Sequence, residues 1–209
     1  MTVAVISCGA LTSHIRDIVK RNNLDVHVES INPLLHNRPE LIAGEVEQKI
    51  IECKQQFDQV IVGYADCGTY GALDALCESH NVQRLTGNHC YDVFATAEVM
   101  KREFESEPGT FVLTDYLLRS FDYSVSKQLG LDTYPELKDV YFGNYTRLLW
   151  LRQGINVQVQ DSKTELQVQD SELAQKAQQI AVNLGLRLEI FAVGDLHLER
   201  QLFALMPVG

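Results

Sequence analysis

Gln59-Val60-Ile61-Val62-Gly63-Tyr64 runs directly into Ala65-Asp66-Cys67-Gly68-Thr69, and this stretch decides the fold. The first part is a short apolar run with β-branched residues, the pattern of a buried strand. The second part is a turn of small and polar residues. It leads into 68–80, where Leu73, Leu76 and Cys77 recur at helical spacing. Strand, tight turn and helix follow within about 20 residues, the start of a βαβ unit.

The same succession recurs on both sides. Upstream, VAVIS (3–7) is a strand ending at Cys8-Gly9, and Leu11, Ile15, Ile18 and Val19 stripe the helix after it. Residues 25–31 alternate as a less buried strand, and Ile42, Val46, Ile50 and Cys53 share one helical face. Downstream come a short strand at 83–86, a helix at 91–105, the strand TFVLT (110–114) and a helix face at Leu117, Phe121 and Val125. The strand RLLWLR (147–152), an amphipathic helix over 171–184 and the strand LEIFAV (188–193) complete the pattern. Such alternation predicts an α/β fold, a mainly parallel open sheet with helices on both faces, Rossmann-like and three-layered. INVQVQDSKTELQVQD (155–170) breaks the pattern and reads as a solvent-facing β-hairpin. Nothing in composition marks a boundary, so the chain reads as a single domain, 1–209, with that hairpin as an appendage.

Composition narrows the function. The chain has 209 residues, 45% hydrophobic and 22% charged, ordinary for a globular protein. No apolar run reaches the ~18–20 residues of a membrane span. The first residues lack a basic segment before the apolar stretch, so they read as a strand rather than a signal peptide. With 18 basic against 28 acidic residues the net charge is −10, which repels nucleic acid and anionic membranes. No Lys/Arg cluster offsets it. The five cysteines, an odd number, argue against a disulfide framework and for reduced thiols in a cytoplasmic protein. Nothing in the composition opposes a homo-oligomer.

In open α/β sheets ligands bind beyond the carboxyl ends of the strands. Three cysteines fall there: Cys8, Cys67 and Cys90, the last beside His89. Cys53 and Cys77 fall on apolar helix faces and read as core. A strand-end cysteine can be there only because it is small. Three on one edge, at predicted helix starts that favour thiolates, suggest chemistry. Three thiolates with an imidazole suit zinc, and three thiolates alone suit an iron–sulfur cluster with one open iron. The turn 66–71, with Thr69 as cap and Gly68 in it, offers N–H groups to an anion. His36-Asn37-Arg38-Pro39-Glu40 either opens a helix from a solvated loop or supplies an acid/base histidine and a carboxylate clamp in Arg38. The aromatic segment around Tyr134 and Tyr141-Phe142-Gly143-Asn144-Tyr145 reads as a packed corner or as a wall over the strand ends.

HNRPE (36–40), GYADCGT and GALDAL (63–69, 71–76), HCY after Gly87, TFVLTDYL (110–117), LGLDTYPEL (129–137) and YFGNYTRLLWL (141–151) together resemble the prokaryotic DUF1638 family. The resemblance runs from Cys8 to about Leu151 and passes through Cys8, His36, Arg38, Asp66, Cys67, Gly68, His89, Cys90, Asp115 and Asn144. The family is named for an unknown function. Some of its archaeal relatives sit beside corrinoid-dependent methyltransferase genes, which hints at one-carbon or methyl-transfer metabolism.

Two classes of function follow. One is a cytoplasmic enzyme acting on a small anionic or methylated metabolite. In its metal form Cys8, Cys67 and Cys90 ligate zinc or an iron–sulfur cluster. His36, Asp66, His89 and Asp115 are then the acid/base candidates, and Arg38, Gly68, Thr69, Tyr141, Asn144 and Tyr145 the substrate contacts. In its metal-free form Cys67 and Cys90 face each other across the substrate as acid and base, loosely similar to cofactor-independent racemases. The other class is a non-catalytic metal or corrinoid-pathway accessory or binding protein.

Overall fold

The computed structural model describes residues 2–153 and 171–206, so the proposed hairpin at 155–170 lies outside the described residues. The chain divides into two compact units, Met1–Ala97 with Asp195–Gly209, and Glu98–Gly194. Neither seam has the composition of a linker, which is why the sequence reads as one domain.

In the first unit β1 (Val3–Cys8) lies between β2 (Val26–Ile31) and β3 (Gln59–Gly63), with β4 (Gln83–Arg84) beyond β3. Every pairing is parallel. The chain moves one way from β1 to β2 and the other way from β2 to β3. Right-handed crossovers therefore place α1 (Thr12–Arg21) and α2 (Ile42–Lys54) on opposite faces. The strand order reverses at β1, so a crevice opens beyond the carboxyl ends of β1 and β3. Val5, Ile6, Ile15, Ile18, Ile42, Val46, Ile50 and Ile61 form a buried core on both sides of this sheet. The last helix, α9 (Leu196–Leu205), returns to α1 and to α4 (Cys90–Ala95). Arg21 holds it through Asp195 at 2.8 Å and Glu199 at 2.7 Å.

In the second unit β5 (Thr110–Thr114), β6 (Arg147–Arg152) and β7 (Arg187–Ala192) pair in that order, all parallel. Trp150, on the central strand, is fully buried with Leu113, Leu118, Phe142 and Leu148. Ala177, Ile180 and Ala181 of α8 (Ser171–Leu184) close this core. They belong to the apolar stripe predicted for 171–184.

All seven predicted strands are present, but they form two sheets. Two helices also differ from expectation. The helix predicted over 91–105 is two helices, α4 (Cys90–Ala95) and α5 (Ala97–Ser106), parted by Thr96 at φ +71°. The helix predicted from Gly68 begins later, as α3 (Ala72–Ser79). Cys67, Gly68, Tyr70 and Gly71 all have positive φ and cannot be α-helical. After β5, α6 (Asp115–Arg119) runs into a π-helical turn at Asp122–Ser126, and α7 (Leu137–Phe142) precedes β6.

Candidate functional site

β1 ends at Cys8, and the register Ser7↔Gly63 brings Tyr64 out beside it. Cys8 and Tyr64 are both fully buried. β2 leads into a 3₁₀ helix, Pro33–Asn37, with the Asn32 side chain accepting from the Leu34 amide at 3.0 Å. This helix lies against the end of β1. A Cβ on Gly9 would stand 2.6 Å from Pro33 Cδ and 2.7 Å from the Ile31 carbonyl oxygen. Only glycine admits that approach.

The packing fixes His36. Its Nδ1 lies 2.9 Å from the Pro33 carbonyl oxygen, which can only accept, so Nδ1 carries a proton. Nε2 then faces the Cys8 sulfur at 3.7 Å. The imidazole stacks on the Tyr64 ring, with centroids 6.0 Å apart and planes 16° from parallel. Burial opposes a charge on His36, but hydrogen bonds to the Cys67 and Cys8 thiols outweigh it and push its pKa up to about 11. The two sulfurs therefore favour the charged form of the His36 imidazole.

Cys67 sits in a sharp turn at φ +51°, unusual for a residue with a side chain. The next strand end holds it there. The Cys67 amide donates to the Asn88 carbonyl at 2.7 Å and the Asp66 amide to Gly87 at 3.0 Å. From the other side the Pro39 ring sits 3.5 Å from where a Cβ on Gly68 would be. Cys90 opens α4. Burial, then the neighbouring Cys67 and Cys8, push its thiol well above the ordinary value, so it stays protonated. Burial and Cys8 likewise raise Tyr64, which keeps its hydroxyl proton. Cys8, His36, Tyr64, Cys67 and Cys90 thus form one electrostatic group within the first unit.

The other predicted residues have other roles. Asp66 is a cap: it accepts from the Thr69 hydroxyl at 2.7 Å, the Gly71 amide at 2.9 Å and the Tyr70 amide at 3.1 Å. Burial would raise its pKa, yet these bonds hold the carboxyl below its usual range. Its oxygens and the Thr69 hydroxyl are committed to the turn, and Gly68 serves that turn too. His89 leans on the Tyr91 ring at 4.7 Å, and burial lowers its pKa, leaving it neutral. The Arg38 side chain is 68% exposed and lies 3.5 Å from Glu40.

Asp115, Tyr141, Asn144 and Tyr145 belong to the second unit. Asp115 is 2% exposed, accepts from the Trp150 indole at 2.7 Å and receives the Gln153 amide at 3.3 Å. It satisfies a core tryptophan. Asn144 and Tyr145 immediately precede β6, at the amino end of the sheet, with Thr146 donating to the Gly109 carbonyl at 2.8 Å. They form no wall over carboxyl ends. The segment is a packed corner in which Phe142, Phe111 and Tyr145 meet at 5.1–5.9 Å.

Among the described residues, no three or more His, Cys, Asp or Glu side chains are arranged to hold a metal ion. A cleft of about 660 Å³ along β4 contains neither His36 nor the three site thiols, and its Arg84 is paired with Asp74 at 2.6 Å. Sequence reasoning missed Tyr64. Its signal was a polar-tipped aromatic closing an apolar strand just before the turn.

A family model described as a protein of unknown function, DUF1638, matches residues 30–202. His36, Tyr64, Cys67, His89 and Cys90 lie inside the matched stretch, and Cys8 precedes it. No curated protein and no solved structure matches the chain.

Proposed function

Because the chain belongs to the DUF1638 family, whose function is unknown, its chemistry has to be argued from the site, and we propose a metal-independent enzyme that moves protons on a small metabolite. The observation that carries this reading is the Cys8 sulfur 3.7 Å from His36 Nε2, with Nδ1 fixed by Pro33 at 2.9 Å. A histidine so oriented stabilises a thiolate as its ion-pair partner. Cys90 is the complement, a thiol that burial keeps protonated. With Cys8 beside the imidazole as base, Cys90 is the acid.

In this mechanism the thiolate at Cys8 takes a proton from a substrate C–H bond and becomes a thiol. Cys90 gives its proton to the substrate and becomes a thiolate. Atoms and charge balance, and the product is an isomer of the substrate. Cys67 shares the imidazolium with Cys8. Five free cysteines suit a reducing compartment such as the cytoplasm.

The test is alkylation by iodoacetamide, with each cysteine followed by mass spectrometry. At about pH 6, well below the ordinary thiol value near 8.5, Cys67, the half-buried partner of His36, should react in the wild type and not in His36→Gln. Equal reactivity of the two proteins would refute the ion pair. Stoichiometric metal in anaerobically purified protein, lost from Cys67→Ser, would replace this reading with the metal enzyme.

A further inference from the structure

In the second unit, β6 carries two buried arginines, one at each end. Arg147, at the amino end, is met by three carboxylates: Glu103 at 2.9 Å, Glu189 at 3.3 Å and Glu107 at 3.4 Å. Arg152, at the carboxyl end, lies nearly as deep, 4% exposed against 3%. Among the described residues its side chain has no ion pair and no hydrogen bond. Its guanidinium lies over the Trp150 ring, 5.7 Å from the centroid. A ring face attracts a cation but does not stand in for a counter-ion, and a buried charge left uncompensated is strongly destabilising.

Asp115 is the obvious partner, since it follows Thr114, which pairs with Leu151, and so stands level with Arg152. Its carboxylate is turned elsewhere, to the Trp150 indole at 2.7 Å and the Gln153 amide at 3.3 Å. The corner is short of acceptors as a whole, for Gln153 Nε2 has none either. Unlike that nitrogen, the guanidinium nitrogens are not sealed from solvent. Arg152 is thus a charged donor, pre-placed and reachable, where open α/β sheets bind ligands, outside the carboxyl ends of their strands.

We propose that Arg152 is the anchor of an anion site in the second unit, which binds a small monocarboxylate. A guanidinium grips a carboxylate through two parallel hydrogen bonds. The ring beneath it holds its plane and leaves its edge for the ligand. Asp115 already brings one negative charge to this corner, which disfavours a dianion such as phosphate. The site does not depend on the thiol chemistry of the first unit.

Trp150 is the chain's one tryptophan, so its emission reports on this corner. The full chain is titrated with ¹³C-labelled acetate and, separately, with phosphate, with sodium chloride holding the ionic strength constant. Emission and broadening of the acetate carboxyl resonance are followed in wild type and in Arg152→Met, which keeps the side chain's bulk and removes its charge. Acetate should shift the wild-type emission saturably. Its affinity should fall about ten-fold or more in Arg152→Met, the loss of hydrogen bonds to a charged group. No saturable response in the wild type, or equal acetate affinity in both proteins, overturns the proposal. Phosphate bound more tightly than acetate by the wild type overturns the carboxylate assignment. If Arg152→Met does not fold, wild type labelled with ¹⁵N-arginine replaces it. An Arg152 Nε–H resonance that moves with acetate and not with chloride supports the proposal, and one that stays in place overturns it.

Discussion

Replacing Gly9 by alanine should damage stability and chemistry together. The new Cβ would stand 2.6 Å from Pro33 Cδ and 2.7 Å from the Ile31 carbonyl oxygen, where ordinary contact begins at 3.4 Å. Both neighbours are stiff, one a proline ring and the other backbone. The 3₁₀ helix carrying His36 must therefore shift by about 0.8 Å to restore contact distance. Gly9 is not among the residues with positive φ, so the substitution tests space alone. Overpacking of this kind costs about 1–3 kcal/mol, roughly 2–12 °C in melting temperature for a chain of this size. Pro33 supplies the carbonyl that orients His36, so thiol alkylation at about pH 6 should fall as well. Gly44→Ala is the control. It lies in α2 with nothing within 4 Å of its added Cβ, and should stabilise by about 0.5–1 kcal/mol. Thermal denaturation and alkylation of the two variants decide the matter. A Gly9→Ala protein as stable as wild type, with its alkylation unchanged, would refute the claim that close packing positions His36.

Other expectations can be checked on the same protein. His36 is raised from 6.5 to about 11 in the fold by its thiol partners, against the opposing effect of burial. Its stabilisation is therefore complete below the unfolded value and lost as pH climbs through about 11. Unfolding by urea at stepped pH should show that alkaline loss, and His36→Gln should flatten it. Asp66→Ala leaves three donors of the 66–71 turn without their acceptor. It should cost about 1.5–3 kcal/mol in denaturant titrations, where an unchanged midpoint would remove Asp66 from the turn. Asp115→Ala strands the indole N–H of Trp150, the chain's one tryptophan. A loss of about 1–3 kcal/mol with a shifted tryptophan emission is expected, and neither change would appear if Asp115 were merely catalytic.

The strands were legible because each is a short apolar run bounded by turn residues, and VAVIS, QVIVGY, TFVLT and RLLWLR all sit where periodicity puts them. Their division between two sheets was not legible. It depends on long-range pairing, which a local pattern does not encode. Thr96 hid the break between α4 and α5, because threonine does not announce a left-handed backbone as glycine does. In the site, Cys8, Cys67 and Cys90 could be found from their places at strand ends. The role of His36 could not, since it depends on how Pro33 rides over Gly9. At Arg38 and Asp115 the sequence shows charge and position, but not the Glu40 and Trp150 partners that each one meets. Tyr145 and Asn144 were misread because an aromatic segment gives no sign of which end of a strand it covers.

The backbone at Cys67 bears on how this position can change. Its φ of +51° suits glycine and is tolerated by asparagine and aspartate, while β-branched residues are strongly disfavoured there. Backbone preference alone would drift toward glycine, which relieves the strain and leaves the turn intact. Cysteine at such a place is a residue kept against the inclination of its own main chain. Substitution records across related chains would separate the two pressures. A position ruled by folding would fill with glycine and asparagine. A position ruled by its sulfur would hold cysteine and tolerate little else.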